Sequence, residues 1–110
     1  MALKQLGKLG QEIFEKRYLY PGEKSWADRA KAIAKMAASA EKDEDKQSVF
    51  EKIYEVIGAG DFVPGGRIIF GAGRDLQNLL TCYQISPSDS VKSIGKPLQD
   101  TYRISCDGIS

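Results

Sequence analysis

Apolar positions recur at helical spacing three times in the first half of the chain, and then the period shortens. Leu6, Leu9, Ile13 and Phe14 fall near one helical face, with Tyr18 one turn further on. Gly7 and Gly10 weaken the start of this helix by up to about 1 kcal/mol each, and Tyr20, Pro21 and Gly22 end it. Ser25 then stands as an N-cap with Asp28 three residues later, a capping box built with the shorter acid. Behind it, "WADRAKAIAKMAASA" carries Ala30, Ile33, Ala34 and Ala37 on one stripe. The polar run "EKDEDK" at 41–46 suits a loop or a solvated helix start. Val49, Phe50, Ile53, Tyr54 and Ile57 form the third stripe, with Gly58 at the expected C-terminal position. Residues 1–60 therefore predict an all-helical N-terminal domain whose stripes need one another, or a larger partner, to be buried.

At Asp61 the pattern changes. "DFVPGGR" is a turn, "RIIF" and "TCYQI" predict short strands, and the polar loop between them opens with "GAG". "SPSDS" is dense in capping residues, so Ser88 or Asp89 is expected to cap a helix bearing Val91, Ile94 and Leu98. Gly95 and Pro97 sit inside that pattern and argue for a break or kink. Two short strands and one helix cannot close a sheet core. The fold class expected for residues 61–110 is thus the front end of a larger α/β domain, cut off.

Charge and composition narrow the functions without choosing one. A net charge of +1 gives no general pull toward nucleic acid or an acidic membrane surface. The first 35 residues hold eight Lys/Arg against four Asp/Glu, an excess that reads as a solvated face. No apolar run approaches the roughly 20 residues that span a bilayer, and lysines and glutamates interrupt every stretch that could form a signal-peptide core. The cytoplasm is the expected compartment. Cys82 and Cys106 are too few for a disulfide scaffold and match no zinc spacing. With no histidine, Ser-His, Cys-His and His-metal chemistry is excluded within the chain, so no metal site is expected. Thiols, carboxylates, tyrosines and lysines are left.

The glycines alone do not choose a ligand. A dinucleotide fingerprint would need a third glycine where Leu76 stands, and the P-loop lysine and hydroxyl are missing. "GAG" reads as a tight loop that exploits unusual backbone angles. "PGGR" reads as a turn, or as a place where phosphate approaches backbone amides.

Taken in order, "FVPGGRIIFGAG", "TCYQI" and "SPSDSVKSI" resemble the ribonucleotide reductase large (catalytic) subunit, most closely its adenosylcobalamin-dependent members. The resemblance covers residues 61 to about 105, and residues 1–58 look like that family's N-terminal helical domain. It implies a ten-stranded α/β barrel of which this chain holds the first strands and helix. It implies an oxidoreductase, a ribonucleoside-diphosphate reductase, that makes deoxyribonucleotides for DNA synthesis by thiol and radical chemistry. Cys82 matches the first of two redox cysteines, which reduce the ribose 2′ position and leave as a disulfide. Gly65, Gly66 and Thr81 match the region that contacts substrate and its phosphates, with Thr81 standing where the family usually has Asn. Asp89 and Ser90 match the start of the specificity site, where a deoxynucleotide or ATP effector is held at a dimer interface. The implied partners are a ribonucleotide, a thioredoxin-type dithiol, the remainder of the reductase chain and a second copy in a homodimer, with no membrane and no nucleic acid. The radical cysteine, the second redox cysteine and the adenosylcobalamin contacts are expected downstream, so the chain alone is expected to be inactive. Cys106 is incidental on this reading. From a different class, a small non-enzymatic helical interaction domain with a β-rich tail would also fit the stripes. The DNA downstream of Ser110 separates the two.

Overall fold

Five helices make up the regular structure in the computed structural model, which describes residues 2–75, 77–80 and 82–106. They are α1 (Lys8–Arg17), α2 (Trp26–Ala38), α3 (Asp43–Ala59), α4 (Gly66–Gly71) and α5 (Val91–Cys106). The expected stripes of α2 and α3 pack, whereas α1 starts after Leu6 and buries only Phe14 of its stripe, leaving Leu9 and Ile13 exposed. Phe14 of α1, Trp26, Ala30 and Ile33 of α2, and Ile57 of α3 form the core with Ile69 and Ala72 from further along. Phe14 and Trp26 meet edge to face with ring centroids 5.8 Å apart, and the Trp26 indole N–H donates to the Ile57 carbonyl at 2.8 Å. That bond satisfies a polar atom that burial would otherwise leave stranded.

The capping box is present at the start of α2. The Asp28 carboxylate accepts the backbone N–H groups of Lys24 (2.8 Å) and Ser25 (3.1 Å) and the Ser25 hydroxyl (3.2 Å). The Lys24 N–H is the main reason the Asp28 carboxyl titrates below the usual range; slight burial opposes it, while Ser25 and the charge of Lys31 assist. A folded pKa below the unfolded value of about 3.9 means a contribution complete above that value and lost as pH falls through the folded one. Asp28→Asn should therefore cost on the order of 0.5 kcal/mol at neutral pH. The gap to the parent should narrow in urea titrations as the pH is taken down through the folded pKa, below the unfolded value. A gap independent of pH would remove the charged acceptor from the account.

Gly60, and not Gly58, ends α3. Gly60 takes the left-handed C-cap conformation at φ 80 and donates to the Ile57 and Val56 carbonyls, whereas Gly58 stays inside the helix and is buried. Its carbonyl accepts the Lys4 N–H at 2.7 Å, tying the N-terminal segment to the end of α3.

The second half departs from expectation. No strand occurs among the described residues. "RIIF" lies in α4, where Gly65 is the N-cap and Ile69 is buried while Phe70 is exposed. Two adjacent isoleucines favour a strand locally, but here Ile68 and Ile69 both pack against the helical core, and packing overrides propensity. Residues 82–85 of "TCYQI" are irregular, because a strand needs a ladder partner for its N–H and C=O groups. The expected strands and the start of a barrel are thus replaced, in this chain, by a helical turn and an irregular segment.

The α5 helix runs unbroken through Gly95 and Pro97. Pro97 forfeits one backbone donor, and its carbonyl accepts the Thr101 hydroxyl at 2.7 Å. The cap is Ser90 rather than Ser88 or Asp89: its hydroxyl accepts the Ser93 N–H at 3.1 Å, while the Ser93 hydroxyl accepts the Ser88 N–H at 2.8 Å. No α5 residue is buried, and Val91, Leu98 and Tyr102 are all more than two-thirds exposed. The radius of gyration of 17.6 Å exceeds the about 13 Å of a compact chain of this size, as a helix held off the bundle requires.

Candidate functional site

Two arginines fix the C-terminal end of α4, the helix that Gly65 and Gly66 open. Arg29 of α2 is 1% exposed, pairs with the Glu23 carboxylate at 3.0 Å, and donates to the Phe70 carbonyl at 3.3 Å and to that of Ala72. Glu23 in turn accepts the Tyr20 N–H at 3.2 Å. Burial pushes the Arg29 pKa down, Glu23 pushes it back up, and the nearby Arg74 adds to the depression. Arg74 approaches from the other side. Its guanidinium donates to the Tyr18 and Leu19 carbonyls at 3.3 and 3.4 Å and to Phe70, and it lies over the rings of Phe70 and Tyr20 at 3.9 and 4.9 Å. A planar fork with five donors suits such clusters of carbonyls. Together the two side chains bind α4 and the loop after it to α2 and to the end of α1.

Of the two glycines in the loop, Gly73 takes the unusual backbone angle expected there, while Gly71 serves a close approach. A Cβ on Gly71 would stand 2.9 Å from the Asn78 carbonyl oxygen and 3.3 Å from Leu79 Cδ2. Gly71 thus lets residues 78 and 79 fold back across the end of α4, and Gly73 turns the chain with φ 77. The Gln77 side chain accepts the Gly73 N–H at 3.3 Å. This return brings the chain toward Cys82, whose thiol is free and exposed.

The expected site residues lie on three separate pieces. Gly65 and Gly66 are exposed at the start of α4. Cys82 is on the irregular segment, and no hydrogen bond joins it to the glycine turn among the described residues. Asp89 and Ser90 precede α5, where the Ser90 hydroxyl serves as the helix cap and Asp89 is exposed. Thr81 lies outside the described residues. Cys106 ends α5 as a second free, exposed thiol. Arg29 and Arg74 are positioning residues that the sequence did not single out.

No group of three or more His, Cys, Asp or Glu among the described residues could hold a metal ion. No helix of the described residues is long and apolar enough to cross a membrane.

Neither curated proteins nor solved structures matched the chain on comparison. A family model did. Residues 4–77, which take in α1 to α4, both arginine clamps and the glycine turn, match the model described as "Ribonucleotide reductase, all-alpha domain". With two-thirds of its length so matched, the chain belongs to the ribonucleotide reductase all-alpha domain family, the N-terminal helical domain of the large subunit.

Proposed function

We propose that this chain is the N-terminal part of a ribonucleotide reductase catalytic subunit and carries one of its two reducing thiols. The observation that supports it best is the family match over 4–77, which runs through the glycine turn and stops five residues before Cys82. On this reading residues 1–60 form the helical domain and residues 61–110 lead into a catalytic barrel supplied by the rest of the reductase. Gly65, Gly66 and Thr81 face the ribonucleotide, with exposed backbone amides and a hydroxyl to meet its phosphates. Cys82 and a second cysteine on the remainder of the chain deliver two electrons to the ribose 2′ position and become a disulfide, which a thioredoxin-type dithiol reduces again. A free, exposed thiol at the end of a loop can reach both partners.

Asp89 and Ser90 lie where the resemblance puts the effector nucleotide, between two copies of the subunit. Ser90 already gives its hydroxyl to the helix cap, so Asp89 is the freer of the two to meet a ribose hydroxyl. Adenosylcobalamin is the radical source on this reading and is held by other parts of the reductase.

The reading is tested by fusing residues 1–110 to a family catalytic barrel that lacks its own N-terminal portion. Deoxyribonucleotide should form over many cycles when the fusion receives ribonucleotide, a dithiol and adenosylcobalamin. A folded, cofactor-loaded fusion that makes none would overturn it.

A further inference from the structure

At the junction of α1 and α4, Arg17, Tyr18, Gly66, Arg67 and Phe70 line an open cleft of about 410 Å³. We propose that this cleft is an anion site that takes a phosphate group, held between the Arg17 and Arg67 guanidiniums. The polar side chains of its lining are two guanidiniums and one phenol, and no carboxylate lines it. Neither arginine pairs with an acid among the described residues. Arg67 Nε is buried with no hydrogen-bond partner, and the described interaction of that side chain is with the Phe70 ring, 5.6 Å from its centroid. Arg29 Nε is orphaned too, but the rest of that guanidinium is paired, whereas Arg67 has no hydrogen-bond acceptor among the described residues, which is uncommon for a donor that is buried.

The ordinary use of a basic residue at the end of α1 is to serve the last carbonyls of the helix. Here Arg74 does that work at Tyr18 and Leu19, and Arg17 has no acceptor among the described residues. The Tyr18 hydroxyl stands 3.2 Å from where a Cβ on Gly66 would be, so glycine keeps the backbone side of the cleft open beside the phenol. Two planar forks and a hydroxyl around an open space match the oxygens of a phosphate, which accept hydrogen bonds from several directions. The cleft shares Gly66 with the proposed substrate turn, but no thiol and no step of the reduction enters the argument. Either reading can fail alone.

The test is a nuclear magnetic resonance titration of the 110-residue chain with pyrophosphate at constant ionic strength, set against chloride. Saturable shifts of the Gly66 and Arg67 amides and the Arg17 side-chain N–H are expected. Arg17→Gln and Arg67→Gln should each weaken binding about tenfold, with helical circular dichroism unchanged. If Arg67→Gln does not fold, Arg67→Lys keeps the charge, loses the fork and should still weaken binding. A ribonucleoside diphosphate that binds as well as pyrophosphate, or better, supports the site, the second result adding a contact to the nucleoside. Succinate binding as tightly as pyrophosphate would reassign the cleft to a carboxylate partner and overturn the proposal. So would shifts that never saturate, or variants that bind like the parent.

Discussion

Cys82→Ser, in the reductase assembled around this chain, should reduce multiple-turnover deoxyribonucleotide formation to near background. Serine keeps the size of the side chain and removes both the thiolate and the ability to form a disulfide. Two electrons must reach the ribose in every cycle, and a hydroxyl cannot supply its share. Cys106→Ser should keep most of the activity, since that thiol sits at the far end of α5 and matches no part of the motif. Substrate affinity should survive both changes, because on the proposed reading phosphate is met by the glycine-turn amides and Thr81 and not by sulfur. The informative measurement is product per enzyme over many cycles, alongside ribonucleotide binding, in the two variants. Full activity in Cys82→Ser would return that thiol to an ordinary loop residue.

The helical half of this chain was legible because its signals are local. The capping box at Ser25 and Asp28 and the stripes through Ile33 and Ile57 need only neighbours three or four residues away. The error at "RIIF" came from the same locality. Ile68, Ile69 and Phe70 read as β-formers in isolation, and nothing nearby tells that the helical core will receive the two isoleucines. Arg29 shows this most clearly. It sits among lysines in a run that reads as a solvated face, yet its carbonyl partners lie 41 and 43 residues further on. The Arg17 and Arg67 cleft was equally hidden, since its two cations meet only through the fold. Cys82 could be singled out by its resemblance to a motif, and the structure adds that its thiol is exposed.

Arg29→Ala should cost about 4 kcal/mol, the middle of the range for breaking a buried ion pair from one side. The guanidinium is almost fully buried, so its removal strands several groups at once. Glu23, 15% exposed at its side chain, keeps a carboxylate with only the Tyr20 N–H to answer it. The Ala72 carbonyl loses its side-chain donor, and the Phe70 carbonyl keeps only that of Arg74. A domain of this size holds roughly 5–15 kcal/mol in all, so the loss should lower the melting temperature by about 15 °C or more. Arg29→Lys should fall between, about 2 kcal/mol, because one ammonium cannot reach Glu23 and two carbonyls together. Glu23→Gln on the Arg29→Ala background should recover part of the loss, since it removes the stranded charge and little else. Urea unfolding of the four chains measures all of this. An Arg29→Ala chain within 1 kcal/mol of the parent would mean that α4 and its glycine turn are held by Arg74 and apolar packing, and that the buried guanidinium is no clamp.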